Sequence, residues 1–92
     1  MSDSAKLSRI ALESGAIRLR PEKPFTWASG YKMPIYNDNR LLLGKEEYRS
    51  FISQIFVKYL NAFIEKLDVV AGTATAGIPH ATTLADRLKK PL

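Results

Sequence analysis

The chain has no cysteine among its 92 residues. No disulfide can staple the fold, thiolate metal sites and cysteine nucleophiles are excluded, and the usage fits a reducing cytoplasm. A single histidine, His80, makes a zinc site a poor fit, because such sites draw on several His or Cys ligands. Long apolar runs are missing too, and the opening Met1-Ser2-Asp3-Ser4 is polar. Neither a signal peptide nor a membrane span is therefore expected, and the expected address is cytoplasmic. Acid is the scarcer charge: nine Asp+Glu stand against fourteen Lys+Arg, a formal balance of +5. Such a balance suits an anionic partner, whether phosphate, carboxylate or nucleic acid. The cations are scattered, however, with Arg18, Arg20, Lys23, Lys32 and Arg40 spread through a turn-rich stretch and Lys89-Lys90 closing the last helix. No nucleic-acid-binding module or repeated basic and aromatic pattern accompanies them, so nucleic acid is not the expected partner.

What is present describes a small globular chain, 46% hydrophobic and 25% charged, neither disordered nor fibrous. A chain of this size buries roughly 60–65% of the surface its unfolded form exposes, so a free-standing domain is marginal and usually needs a partner. Ser4 is placed to cap a first helix whose apolar Leu7, Ile10 and Ala11 follow helical spacing, and Gly15 supplies the stop. From Ala16 to Arg40 the pattern changes. Pro21 and Pro24 punctuate it, Phe25-Thr26-Trp27 and Ile35-Tyr36-Asn37-Asp38 are short β-prone runs, and Ser29-Gly30 between them signals a turn. Two short strands around a loop are expected, with Trp27 in their core.

A long helix is expected from about Glu46 to Lys66, with Tyr48, Phe51, Ile52, Ile55, Phe56, Tyr59, Leu60, Phe63, Ile64 and Leu67 spaced by threes and fours. Such a wide aromatic stripe is expected to be core. Asp68-Val69-Val70-Ala71-Gly72 then reads as a buried strand, Thr73-Ala74-Thr75-Ala76-Gly77 as a loop of small and hydroxylated residues, and Ile78 to Lys90 as a helix with Pro79 in its first turn. Strand, small-residue loop and helix form the arrangement in which a ligand sits beyond the strand's carboxyl end and meets free N–H groups at the helix start. Taken alone the loop is ambiguous between phosphate binding and a tight connection, since it has neither dinucleotide glycine spacing nor a P-loop ending. A buried strand also needs parallel neighbours delivered by crossover helices, and the pattern reads as cut in mid-fold at Pro91-Leu92.

Two motifs carry a resemblance. Phe25-Thr26-Trp27-Ala28-Ser29-Gly30-Tyr31-Lys32-Met33-Pro34-Ile35-Tyr36-Asn37-Asp38-Asn39-Arg40, followed after the long helix by Val69-Val70-Ala71-Gly72-Thr73-Ala74-Thr75-Ala76-Gly77-Ile78-Pro79-His80-Ala81, resembles the amino-terminal part of orotate phosphoribosyltransferase. The motifs, their order and their separation all agree, from the first helix to Leu92.

The resemblance implies an α/β, type I phosphoribosyltransferase fold: an amino-terminal hood plus the first βαβ part of a mostly parallel sheet. Residues 1–44 would be helix and hood, and 45–92 the beginning of the core. It implies an enzyme of de novo pyrimidine (UMP) synthesis that transfers the phosphoribosyl group of phosphoribosyl pyrophosphate to orotate, with Mg²⁺, as a homodimer. By the same resemblance Ser29, Gly30, Lys32, Tyr36, Asp38 and Arg40 belong to the element against which orotate lies. Tyr36 would stack on the ring and Lys32 or Arg40 would pair with the carboxylate, Arg being the better geometric match. The plainer alternatives are a packed Tyr36, a solvated Lys32 and a surface Asp38–Arg40 ion pair. Gly72, Thr73, Ala74, Thr75, Ala76 and Gly77 correspond to the first phosphate-handling loop, acting mainly through backbone N–H groups. His80 reads as structural rather than catalytic.

Ala28 and Thr75-Ala76 stand where one branch of the family has lysine-containing pairs, so lysine contacts are not carried over. The family's acidic pair with its Thr-Gly-rich loop, and its mobile loop with a catalytic lysine, are not among these residues. No catalytic residue and no metal ligand is therefore expected within the chain, and residues 1–92 alone are expected to be inactive. The alternative is a non-catalytic ligand sensor or interaction module on the same fold.

Overall fold

The computed structural model describes residues 2–92, and the chain forms two compact units, Met1–Leu42 and Leu43–Leu92. In the first, helix α1 (Asp3–Ser14) is capped by Ser2, whose hydroxyl accepts from the Ala5 amide at 3.1 Å. The cap therefore lies two residues before Ser4, whose carbonyl instead accepts the Ser8 hydroxyl inside the helix. Asp3 in the first turn suits the positive helix end. Ile10 and Ala11 are buried, and the helix stops at Gly15, whose φ of 81° puts its N–H onto the Leu12 carbonyl.

Four short strands follow: β1 (Ile17–Leu19), β2 (Phe25–Thr26), β3 (Lys32–Met33) and β4 (Ile35–Asn37). They form two antiparallel pairs, β1 with β4 and β2 with β3. The two β-prone runs read from the sequence thus pair with other segments rather than with each other. Phe25 faces Met33 and Thr26 faces Lys32 across a tight turn closed by Gly30 N–H to Trp27 O at 2.8 Å, with Gly30 at φ 91°. In the other pair Ile17, Arg18 and Leu19 face Asn37, Tyr36 and Ile35, and the ladder is extended by Arg20 N–H to Pro34 O and Asp38 N–H to Ala16 O, each 2.6 Å. Trp27 is 37% exposed and so is not the expected core residue. Its indole N–H donates to the Ile35 carbonyl at 2.9 Å, tying the β2–β3 turn to β4. A short 3₁₀ helix (Asn39–Leu43) follows β4.

The second unit holds α2 (Glu46–Leu60) and α3 (Ile78–Leu88), packed on each other. Glu46 and Glu47 favour the start of α2 through the dipole, while Arg49 Nη1 reaches back to the Leu43 carbonyl at 2.7 Å. Small residues let the axes approach. Ser53 is buried with its hydroxyl donating to Ser50 O at 2.9 Å, and α3 presents buried Ala81, Leu84 and Ala85. Arg87 Nη2 adds a 2.9 Å bond to the Ser50 hydroxyl.

Several expectations for this unit need correction. The long helix ends at Leu60 rather than Lys66, because the chain tightens into i to i+3 bonds, Phe63 N–H to Leu60 O at 2.7 Å and Lys66 N–H to Phe63 O at 2.8 Å, around a 3₁₀ turn (Ile64–Lys66). The last helix ends at Leu88, two residues short of Lys90, with Lys89 in the left-handed region at φ 56°. Asp68–Gly72 is no strand, and no parallel ladder forms among the described residues. A parallel strand needs a neighbour on its edge, and what Val70 finds is one carbonyl: its N–H donates to Pro91 O at 2.9 Å. The aromatic stripe is also only partly core, for Tyr48 is buried while Phe56, Phe63 and Tyr59 are 46%, 53% and 71% exposed.

Gly15→Ala should destabilise the chain by about 1 kcal/mol through the cost of positive φ. A Cβ there meets Leu41 Cδ1 at 3.8 Å, an ordinary contact, so no steric penalty is added. Urea denaturation checks this, with unchanged stability as the contrary result.

Candidate functional site

The first set of candidate residues lies on and around β3 and β4. Antiparallel pairing puts Arg18 directly opposite Tyr36, and the alternation of a strand sends Arg20 to the same face as Arg18. Phe25 completes a cluster there. Its buried ring lies 5.6 Å from that of half-buried Tyr36, tilted by 43°. The Arg20 guanidinium sits 4.0 Å from the Phe25 centroid, and that of Arg18 sits 5.2 Å from Phe25 and 5.6 Å from Tyr36. Cations over aromatic faces are attracted by the ring quadrupole. Tyr36 is thus packed on Phe25 and covered in part by a cation.

Asp38 and Arg40 form the surface pair foreseen as one alternative. Arg40 Nε donates to Asp38 Oδ1 at 2.8 Å, Nη2 to Oδ2 at 2.9 Å, and the Arg40 backbone N–H reaches Oδ1 at 3.1 Å. Both carboxylate oxygens and one edge of the guanidinium are engaged. Those hydrogen bonds from Arg40 hold the Asp38 carboxyl below its ordinary value, and the Arg18 charge acts in the same direction. The bond to Asp38 correspondingly raises Arg40. Lys32 and Ser29 are exposed, and Gly30 supplies the turn. The structure therefore brings Tyr36, Asp38 and Arg40 together along β4 and its exit, with Lys32, Ser29 and Gly30 on the β2–β3 hairpin. Arg18 and Arg20 are the members that the sequence reading left among scattered charges. Their i, i+2 spacing next to an aromatic-rich partner strand was the available signal.

The second set, Gly72 to Gly77, forms a compact turn at the start of α3. Gly77 N–H donates to Thr73 O at 2.8 Å and Ile78 N–H to Thr75 O at 3.3 Å. Ala74, Thr75 and Ala76 are exposed, and among the described residues their amides reach no backbone carbonyl. The peptide between Ala74 and Thr75 is cis. Both glycines are demanded by close approach. A Cβ on Gly72 would fall 2.6 Å from Gly77 O and 2.7 Å from Ala81 Cβ, and one on Gly77 would fall 2.9 Å from Thr73 O. Beneath the turn is a cavity of about 270 Å³ lined by Phe56, Val70, Ala71, Thr73, His80 and Leu84 among others. His80 is half-buried there.

No group of three or more His, Cys, Asp or Glu able to hold a metal ion occurs among the described residues, and the Asp38 carboxylate is already taken by Arg40. These residues do not fit a protein-held Mg²⁺. No helix among them is long and apolar enough to cross a membrane.

Comparison with known proteins points in one direction. No family model matches the chain. An orotate phosphoribosyltransferase of Streptococcus agalactiae is 50% identical over 91 residues, which is 99% of this chain and 44% of that protein. The crystal structure of orotate phosphoribosyltransferase from Aeropyrum pernix superimposes with a TM-score of 0.76 at 35% identity, over 94% of this chain and 50% of that one. The structure of Leishmania donovani UMP synthase does so with a TM-score of 0.81 at 27% identity, over 99% of this chain and 19% of that one. The chain is thus similar in sequence and in fold to the amino-terminal part of orotate phosphoribosyltransferases, and it spans about 44% of the length of the curated relatives it matches.

Gly72→Ala should displace the turn and cost more than about 2 kcal/mol, the scale of overpacking against atoms that cannot move aside. Shifts of the Thr73–Gly77 amide resonances together with a lowered urea midpoint are expected, and an unperturbed spectrum would contradict the close approach. Asp38 has a lowered pKa in the folded chain, so its contribution to stability is present above the unfolded carboxyl pKa and is lost as pH falls through the folded value. In an NMR titration its carboxyl carbon should change below the ordinary aspartate range, and Arg40→Gln should return it upward. Titration within the ordinary range in the parent chain would refute the pairing in solution.

Proposed function

We propose that these residues are the orotate-facing and first phosphate-facing portion of an orotate phosphoribosyltransferase. The observation that carries the reading is the 50% identity over 99% of the chain, spanning both motifs. The reaction would join a ring nitrogen of orotate to the anomeric carbon of phosphoribosyl pyrophosphate and release pyrophosphate.

The chain's own residues divide the recognition by chemistry. Tyr36 offers an aromatic face for a pyrimidine, and the cations around it suit the ring's carboxylate. The exposed amides of Ala74, Thr75 and Ala76, next to the start of α3, suit phosphate oxygens. Mg²⁺ enters this reading only as a companion of the phosphoribosyl pyrophosphate, since the described residues offer no ligand set for it. A homodimer and a cytoplasmic setting belong to the same reading, the first supported by exposed Phe56 and Tyr59 near the end of α2 and Phe63 just beyond it.

A polypeptide of these 92 residues should bind orotate but form no orotidine monophosphate from orotate, phosphoribosyl pyrophosphate and Mg²⁺. Such a transfer needs a fixed acidic pair at the ribose and a cationic lid for the leaving pyrophosphate, and these residues supply neither. Chromatographic detection of product tests this. Turnover would show that the chemistry resides in these residues, and loss of orotate binding would remove the substrate assignment.

A further inference from the structure

One edge of the Arg40 guanidinium is spent on Asp38, with its two contacts at 2.8 and 2.9 Å. A ligand carboxylate at the remaining Nη1–Nη2 edge would share a guanidinium charge that Asp38 already neutralises. Lys32 belongs to the other strand pair, whereas the face carrying Tyr36 holds Arg18 and Arg20. Among the described residues neither of these arginines has a carboxylate within ion-pair distance. Arg20 lies closest to Phe25, at 4.0 Å, and Arg18 is the one that reaches Tyr36.

We propose that Arg18 is the residue that recognises the carboxylate of a pyrimidine seated against Tyr36, and so sets the preference for the carboxylated ring over the bare one. This rests on the orotate reading above and names the specificity residue within it. Three observations support it. Cross-strand register places Arg18 opposite Tyr36. Its guanidinium lies 5.6 Å from the ring centroid, which makes it the cation next to that ring. Its charge is exposed and unneutralised, so pairing with a carboxylate gives up no existing ion pair. A planar fork matches a carboxylate better than a lysine would.

The test is binding of orotate and of uracil, the same ring without the carboxylate, to the 92-residue chain, followed by amide shifts at Tyr36. The parent should bind orotate tighter than uracil. Arg18→Gln should weaken orotate about tenfold or more, the scale of a lost charge-assisted pair, and leave uracil unchanged, so that the preference collapses. Arg18→Lys should recover part of it, and Arg9→Gln, which removes the same charge from α1, should change neither ligand. A purely structural role for Arg18 would weaken both ligands together and overturns the proposal, as does orotate binding that survives Arg18→Gln. No saturable orotate shift at Tyr36 in the parent overturns the orotate reading along with it. An amide spectrum matching the parent's establishes that each variant is folded.

Discussion

The scarcity of buried bulk is the constraint on which everything else in this chain depends. Among the described residues no large side chain is fully buried, and the core is a short set, Ile10, Ala11, Ala16, Phe25, Leu42, Tyr48, Ala81, Leu84 and Ala85, four of them alanines. Burial at about 25 cal/mol per Å² cannot then supply a wide margin over chain entropy. Shape has to come from backbone commitments at a few points. Ser2 and Gly15 close the ends of α1, the indole of Trp27 fastens a turn to β4, and Gly72 packs against Gly77 where no other residue fits. Each acts locally, which is how a small core can still present defined loops.

The same scarcity shapes the electrostatics. Strands of two or three residues cannot bury their faces, so the aromatic rings of Phe25 and Tyr36 are covered by the nearest amphipathic side chains, the arginines of β1 and its exit. Arginine serves here because its flat, weakly hydrated head tolerates a ring beneath it while keeping its edge in water. One more charge is handled differently. Asp38 draws Arg40 into a bidentate pair, and among the described residues Arg18 and Arg20 have no carboxylate within ion-pair distance. On an exposed surface such a pair adds little stability, so its consequence lies in which cations stay available.

Elements with a local cause were legible from the sequence, and elements with a distant cause were not. Gly15 ends α1 and Pro79 opens α3 because backbone sterics act on the residue itself. β1 escaped notice because Ile17-Arg18-Leu19 is too short for a period and is a strand only through its pairing with β4. Val69-Val70-Ala71 erred the other way: its composition is that of a buried strand, yet a strand is defined by a neighbour, and the rung it makes is Val70 to Pro91. The stripe from Tyr48 to Leu67 shows the helical period, but periodicity cannot show that the chain tightens after Leu60. At the site, residue types pointed to Tyr36 and the glycine loop, whereas the roles of Arg18 and Arg40 depended on whose partner each became.

Under the proposed function the two candidate regions face opposite problems of recognition. A planar carboxylated ring needs a flat surface and a directed cation, and only side chains provide both, so the first region is built of Tyr36, Phe25 and arginine on a paired backbone that fixes their spacing. Phosphate oxygens carry more charge and less shape, and clustered amides meet them without the entropy of ordering a long side chain. The second region suits that demand: it is glycine, alanine and threonine, with exposed positions at Ala74, Thr75 and Ala76. Gly72 and Gly77 are then selected for what they leave out, since a methyl group on either would collide with the turn that presents the amides.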